Sequence, residues 1–270
     1  MEQRVSIAIT EGVADVRLVR ADKMNALDAQ MFEALVAASG RLANEKGLRA
    51  VVLSGEGRAF CAGLDMGRFA AMKDNGGHGI PGGEKRDLSI RSYGLANFAQ
   101  QAVWGWRQLP VPVIAAIHGV AFGGGFQLAL GADMRFLAPD ARMSIMEIKW
   151  GLVPDMAGTP VLATLVRDDI LRELTYTGRI FSAQEALSYG LATRICDDPH
   201  AAALEAAIEI AGKSPDAIRA AKRMLNKLSV DPGPALLAES IEQQKLLGSA
   251  NQLEAVSANI EKRPPRFADV

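Results

Sequence analysis

The sequence predicts an α/β fold, in which strands and helices alternate first and helices alone follow. Two observations carry this prediction. Apolar residues recur at strand spacing and at helix spacing in turn through the first half of the chain, and strand patterns nearly vanish after about residue 158. We therefore expect an α/β core over residues 1–200 and a helical C-terminal region over residues 201–270.

A β-β-α-β unit is predicted within the first 55 residues. Apolar residues alternate over 5–9, and a turn at Gly12 leads to a second strand. Asp28 is a suitable N-cap for a helix that runs to Gly47. The apolar run RAVVLSG at 49–55 has the length and the final glycine of a buried strand.

A second, similar unit follows a long polar stretch. Residues 66–92 are rich in glycine and lack apolar periodicity, so we expect a mobile loop or lid there. The pattern resumes with a helix at 96–108 and a buried strand, VPVIAAI, at 111–117. A glycine turn then feeds a helix, and the strand DMRFLA at 133–138 closes the unit. The sequence therefore predicts that one supersecondary unit occurs twice.

Helices dominate the rest of the chain, interrupted by one short strand, LATRI. Ser182 and Ser214 are suitable N-caps, and Pro215 fits a first helical turn. A helical tail of this kind often packs on a neighbouring subunit, which predicts an oligomer. The predicted helices cover 158–176, 182–189, 200–212, 214–228, 233–248 and 250–262.

Composition favours a soluble cytoplasmic protein. The chain has 30 Lys and Arg against 31 Asp and Glu, a balance that argues against a nucleic-acid-binding protein. Cys61 and Cys196 are far apart and lack metal-site spacing, so we expect two reduced thiols. The N-terminus shows no secretory pattern, and no apolar run reaches the roughly 18 residues of a membrane span.

Two glycine turns are candidates for binding a developing negative charge. In AFCAGLD (59–65), Gly63 lets the backbone expose the N–H of Leu64. In AFGGGFQLAL (121–130), three glycines precede a helix, whose N-terminus carries partial positive charge. One N–H from each turn would form an oxyanion hole. The alternative is that both turns serve only tight packing.

Two carboxylates stand in the apolar stretch SIMEIKWGLVPDMAGT at 144–159. Glu147 and Asp155 would have raised pKa values in apolar surroundings and can then move protons near neutral pH. The alternative is structural, with Asp155 capping the next helix and Glu147 in solvent.

The order and spacing of these segments resemble the enoyl-CoA hydratase/isomerase (crotonase) family over almost the whole chain. The resemblance implies a spiral of ββα repeats with a helical trimerisation region, assembled as a trimer or a dimer of trimers. It also implies an acyl-CoA thioester substrate, with no cofactor and no metal, and a role in fatty acid metabolism. The segments that carry it are RADKMNALD (20–28), AFCAGLD (59–65), HGVAFGGGFQLALGAD (118–133), EIKWGLVPDMAGT (147–159) and LTYTGRIFSAQEALSYGLATRI (174–195).

Carried over to this chain, the resemblance gives the N–H groups of Leu64 and Gly124 as the oxyanion donors. Coenzyme A would lie against the first of the resembling segments and the first glycine turn. The substrate-binding residues implied are Lys23, Ala26, Ala62, Gly63 and Asp65.

The resemblance implies that Glu147, Asp155 and Gln127 are catalytic. Glu147 matches one of the two hydratase carboxylates, whereas Gln127 stands where the other would be. The spacing of Glu147 and Asp155 is similar to that of the dienoyl-CoA isomerase branch, which has an aspartate at the position of Gln127. Double-bond isomerisation is therefore the leading hypothesis. The alternatives are a hydratase in which Gln127 orients water, and a CoA-binding protein with weak catalysis.

Overall fold

The computed structural model describes residues 3–67, 87–227 and 233–267. Most of the predicted loop at 66–92 therefore lies outside the described residues. The strands are β1 (Val5–Thr10), β2 (Val13–Leu18), β3 (Ala50–Gly55), β4 (Val113–Ile117), β5 (Val120–Phe122), β6 (Met134–Leu137), β7 (Arg142–Ser144), β8 (Phe181–Ser182) and β9 (Arg194–Ile195).

Helices surround the strands. The α-helices are α1 (Ala29–Ala43), α2 (Phe98–Gln108), α3 (Gly124–Leu130), α4 (Gly158–Leu162), α5 (Asp168–Thr177), α6 (Ala183–Ser188), α7 (Pro199–Ala211), α8 (Pro215–Lys227), α9 (Gly233–Leu246) and α10 (Ala250–Glu261), and 3₁₀ helices cover Ala21–Lys23 and Glu147–Trp150. Nothing among the described helices is long and apolar enough to pass through a bilayer.

A six-stranded sheet in the order β1-β2-β3-β4-β6-β9 forms the centre of the fold. Within this sheet, the β1–β2 pair alone is antiparallel. Along β3, Val51 and Leu53 belong to the main core, which includes side chains of α1 and α2. Ala50 and Val52 face the opposite way, into a second core that includes Ala203 of α7. Both faces are therefore buried, which explains why this strand reads as an unbroken apolar run.

Helix α7, in the C-terminal part of the chain, packs against the six-stranded sheet. Ala203 and Ala207 of α7 are fully buried against β2, β3, β4 and β6. The predicted boundary between residues 200 and 201 falls inside this helix, and the division of the chain into two regions stays a prediction.

A second sheet, β5-β7-β8, was not predicted. β7 and β8 have three and two residues, too few to show an alternating pattern. The predicted helix 158–176 is also wrong as one piece, because it is divided into α4 and α5. Asp168 and Asp169 lie in the first turn of α5, where acidic side chains favour the start of a new helix.

The predicted caps at Asp28 and Ser182 are confirmed. Asp28 accepts a hydrogen bond from the N–H of Met31 at the start of α1, although this helix ends at Ala43. Ser182 and Glu185 form a capping box on α6. Since β3 and β4 are parallel neighbours, the segments that follow them leave the same edge of the sheet. This arrangement brings the two glycine turns together.

Candidate active site

The two glycine turns lie side by side. The N–H of Cys61 donates to the carbonyl of Val120 at 3.0 Å, and the N–H of Phe122 donates to the carbonyl of Cys61 at 3.1 Å. Gly63 has a φ of +88°, and a Cβ there would lie 2.5 Å from the carbonyl oxygen of Phe122. Any other residue would therefore push the turns apart.

The backbone geometry leaves the two predicted oxyanion donors available. The N–H of Leu27 donates to the carbonyl of Gly63, and the N–H of Asp65 donates to the carbonyl of Leu27. Successive N–H groups of an extended chain point to opposite sides, so that of Leu64 points away from Leu27. Gly124 is the first residue of α3, where N–H groups have no partner within the helix. The two turns abut, since a Cβ on Gly63 would lie 3.8 Å from the nitrogen of Gly124.

One cavity of about 740 Å³ includes both turns and both carboxylates. Its described wall is largely apolar, with three cationic side chains, Arg20, Lys23 and Lys149, among the lining residues. The five predicted substrate-binding residues also line it. They are Lys23, Ala26, Ala62, Gly63 and Asp65.

The Asp65 carboxylate is fixed by two polar contacts within the protein. Its Oδ2 lies 2.5 Å from Nη1 of Arg20, and its Oδ1 accepts a hydrogen bond from the N–H of Gly67 at 2.8 Å. These contacts lower the pKa of Asp65, although burial opposes them. The Asp65 carboxylate therefore fixes the first turn, and direct contact with a substrate stays a prediction.

Glu147 is buried in the wall of the cavity. Its Oε1 accepts a hydrogen bond of 2.6 Å from Nε2 of Gln127, and Oε2 has no partner among the described residues. Burial raises the pKa of Glu147 to about 7, against hydrogen bonds from its own N–H and from Gln127 that lower it. A Cβ on Gly123 would lie 3.5 Å from Oε1, so this carboxyl group adjoins the second oxyanion turn. The alternative of a solvated Glu147 is wrong.

Gln127 links Glu147 to the segment that carries Asp155. Its Oε1 accepts hydrogen bonds from the N–H groups of Met156 at 2.9 Å and Gly158 at 3.0 Å. Both lone pairs of this oxygen are thus in use. Gln127 orients the neighbouring carboxylate through its amide nitrogen.

Asp155 does not cap a helix. The N-cap of α4 is Ala157, with a φ of +66° and no side-chain cap, and Asp155 instead lines the cavity. Burial raises the pKa of Asp155 to about 8, and repulsion from Glu239 and Glu147 adds to this effect, against hydrogen bonds including one from Gln243. The structural alternative for Asp155 is therefore wrong.

Residues 8–270 match the family model described as enoyl-CoA hydratase/isomerase. The chain belongs to the enoyl-CoA hydratase/isomerase family. It is 33% identical to carnitinyl-CoA dehydratase of Proteus mirabilis, over 99% of each chain. It is 32% identical to a Bacillus subtilis protein named "probable enoyl-CoA hydratase", over 97% of this chain and 98% of that protein. An enoyl-CoA hydratase/isomerase from Pseudoalteromonas atlantica superposes with a TM-score of 0.83 at 28% identity, over 98% of this chain and all of the other.

Membership confirms the resemblance and the crotonase-like α/β fold, and makes the chain an enzyme of acyl-CoA chemistry. Several residues around the site were not predicted from the sequence. Glu239 and Gln243 lie on α9, more than 80 residues after Asp155, and no local pattern marks either of them. Arg20 was missed as the partner of Asp65, because the pair joins segments 45 residues apart.

Proposed function

We propose that this enzyme relocates a carbon–carbon double bond in an acyl-CoA thioester, with Glu147 as base and Asp155 as acid. The observation that carries the proposal is that both carboxyl groups line the same cavity as the two oxyanion turns. Proton relocation needs one group to take a proton and another to supply one. Two carboxyl groups with different pKa values can divide these tasks.

The thioester oxygen would accept hydrogen bonds from the N–H groups of Leu64 and Gly124. These donors stabilise the enolate that forms when the α-carbon loses a proton. In other enzymes, loss of one such donor costs roughly 3–4 kcal/mol of transition-state stabilisation. Glu147, which adjoins the second turn, is placed to take that proton. The C–H electron pair then enters the enolate.

Asp155 would complete the reaction. Its carboxyl O–H bond breaks as a new C–H bond forms at the γ-carbon of the acyl group. The electrons of the enolate move along the acyl group to form this bond and to restore the thioester carbonyl. The double bond is thereby moved into conjugation with the thioester. Proton transfer from Glu147 to Asp155, directly or through water, restores the starting state. The two carboxyl groups exchange protons with the substrate and with each other, so the reaction needs no other source of protons.

The cations at the cavity support binding of the coenzyme. Lys23 and Lys149 are exposed, and both line the cavity. Ammonium groups attract phosphates, which coenzyme A carries. The thioester can then reach the oxyanion turns while the phosphates stay near the surface.

Hydration, or the reverse dehydration, is a second candidate. The names of the Proteus mirabilis and Bacillus subtilis relatives favour it. In this chain Gln127 cannot act as a base, and its oxygen is already bonded to two N–H groups. Activation of water would therefore fall to Glu147 and Asp155.

Product analysis separates the two candidates. We expect wild-type enzyme, given 2-enoyl-, 3-enoyl- and 3,5-dienoyl-CoA, to yield shifted double bonds faster than 3-hydroxyacyl products. Gln127→Glu restores a second carboxylate beside Glu147 and should raise any hydratase activity. If 3-hydroxyacyl-CoA forms faster from 2-enoyl-CoA than any double bond moves, the hydratase candidate replaces the proposal.

A further inference from the structure

The turn after Asp155 is held by two side chains from distant parts of the chain. Four consecutive N–H groups, at 156–159, alternate between them. The first and third donate to Gln127, as described above. The second, of Ala157, donates to Oε2 of Glu239 at 3.0 Å, and the fourth, of Thr159, donates to Oε1 at 2.7 Å.

This turn needs such support. Ala157 adopts a left-handed conformation that costs a non-glycine residue on the order of 1 kcal/mol. The turn also opens α4, whose first N–H groups have no partner within the helix and no side-chain cap from Ala157 itself. A carboxylate that accepts two of these N–H groups satisfies them and suits the positive end of the helix.

Glu239 lies behind the cavity wall. It is 5% exposed, it does not line the cavity, and its Oε2 also accepts a hydrogen bond from Nε2 of Gln100 at 3.1 Å. Burial raises the pKa of Glu239 to about 7, while the bonds from Thr159, Gln100 and Ala157 lower it. These donors favour the ionised form.

Several charged groups act on Glu239 and on Asp155. Asp155 is two residues from the Ala157 N–H that Glu239 binds, and the two carboxyl groups repel each other. Glu147 repels Asp155 as well. Arg91 attracts Glu239, and its guanidinium donates to Ser240 Oγ at 2.8 Å and to other neutral groups of α2 and α9. The two charged groups that act on the pKa of Asp155, Glu239 and Glu147, are both negative.

We propose that Glu239 is a positioning residue for Asp155, which fixes the turn that carries it and uses its own negative charge to keep Asp155 protonated. Asp155 is then ready to donate a proton while Glu147 is ionised. The inference rests on the proposed function, since it concerns the acid of that reaction. It assigns to α9 a part in the chemistry without contact with substrate.

The test is the pH profile of kcat for Glu239→Gln. Loss of the charge should move the alkaline limb down by about one pH unit, the order of effect that a nearby charge has on a carboxyl group. At pH 8 this shift corresponds to a roughly fivefold loss of kcat, whereas KM should change less than about twofold. The matched control is Glu242→Gln, which removes a carboxylate from the exposed face of α9, where it pairs with Lys245. The alkaline limb of the kcat profile of Glu242→Gln should stay at its wild-type pH.

Glu239→Asp separates charge from support of the turn. It keeps the charge but shortens the reach, so we expect a lower Tm with the alkaline limb near its wild-type pH. A limb that is unmoved in folded Glu239→Gln overturns the inference. An equal shift of the limb in Glu242→Gln also overturns it. If Glu239→Gln does not fold, a downward shift of about one pH unit in Glu239→Asp overturns it instead.

Asp155→Asn distinguishes failure of this inference from failure of the proposed function. If Asp155→Asn leaves isomerisation intact, the proposed function fails, and the inference with it. If Asp155→Asn removes activity but Glu239→Gln leaves the alkaline limb unmoved, only the inference fails. In the Asp155→Asn background, Glu239→Gln should produce no further movement of the profile.

Discussion

At the scale of single residues, the site depends on which atoms remain free after the fold has used the rest. The Gln127 oxygen is taken by two N–H groups, whereas Oε2 of Glu147 is unpartnered in the described structure. Leu64 lines the cavity, and its N–H points away from Leu27, because the carbonyl of Gly63 and the N–H of Asp65 on either side of it bond to Leu27. Hydrogen bonding thus separates residues that support the site from those available for chemistry.

The pH dependence of isomerisation follows from the two carboxyl groups. Glu147 must be ionised to take a proton, so activity should fall as the pH drops below its pKa of about 7. Asp155 must be protonated to give one, so activity should fall as the pH rises above its pKa of about 8. We expect a bell-shaped profile of kcat with its maximum between these values. Steady-state rates from pH 5 to pH 10 test this, and a rate that still rises above pH 9 would contradict it.

The oxyanion donors give a second prediction at this scale. Gly124→Pro removes an N–H and should lower kcat by about 10²–10³-fold. Leu64→Ala keeps the backbone donor and should be mild. Gly124→Ala is the control for crowding, because it keeps the N–H while its Cβ meets Met156 Sδ at 2.8 Å. The backbone role is wrong if Leu64→Ala, in a folded enzyme, is as damaging as Gly124→Pro.

At the scale of elements, the sequence predicted best where a pattern was long. Both β3 and α1 were recognised, because burial marks six or more consecutive positions in each, as an unbroken apolar run in β3 and as helical spacing in α1. β7 and β8 are set by pairing with distant segments, and nothing local marks them. Glu239 was missed for the same reason, since its partners lie on other elements.

Helix capping provides the prediction at this scale. Ser182 accepts from the N–H of Glu185, and the Glu185 carboxylate accepts from the N–H of Ser182. Ser182→Ala should therefore destabilise α6 by about 1 kcal/mol, which lowers Tm by roughly 2–4 °C in a chain of this size. Ser188→Ala is the matched control, because Ser188 donates only to a carbonyl of the same helix. Equal Tm values for the two variants would refute the capping account.

At the scale of the whole molecule, apolar side chains remain exposed on helices in the second half of the chain. Tyr176 of α5 is 65% exposed, and Met224 and Leu225 of α8 are 69% and 65% exposed. Exposed apolar side chains of this kind mark contact surfaces when they form a patch. The resemblance implies trimers, so we expect a native mass of three or six times 28.8 kDa by light scattering. A monomeric mass at micromolar concentration would contradict this expectation.

The central claim is that Glu147 and Asp155 together relocate a double bond, and the rate of 3-enoyl-CoA conversion to 2-enoyl-CoA tests it most directly. Glu147→Gln and Asp155→Asn should each lower kcat by about 10²-fold or more, in line with general acid–base catalysis. The double variant should lose little beyond the single variants, since residues that act as a unit are not additive. Fast formation of 3-hydroxyacyl-CoA by the wild type, unaffected by Asp155→Asn, would contradict the account.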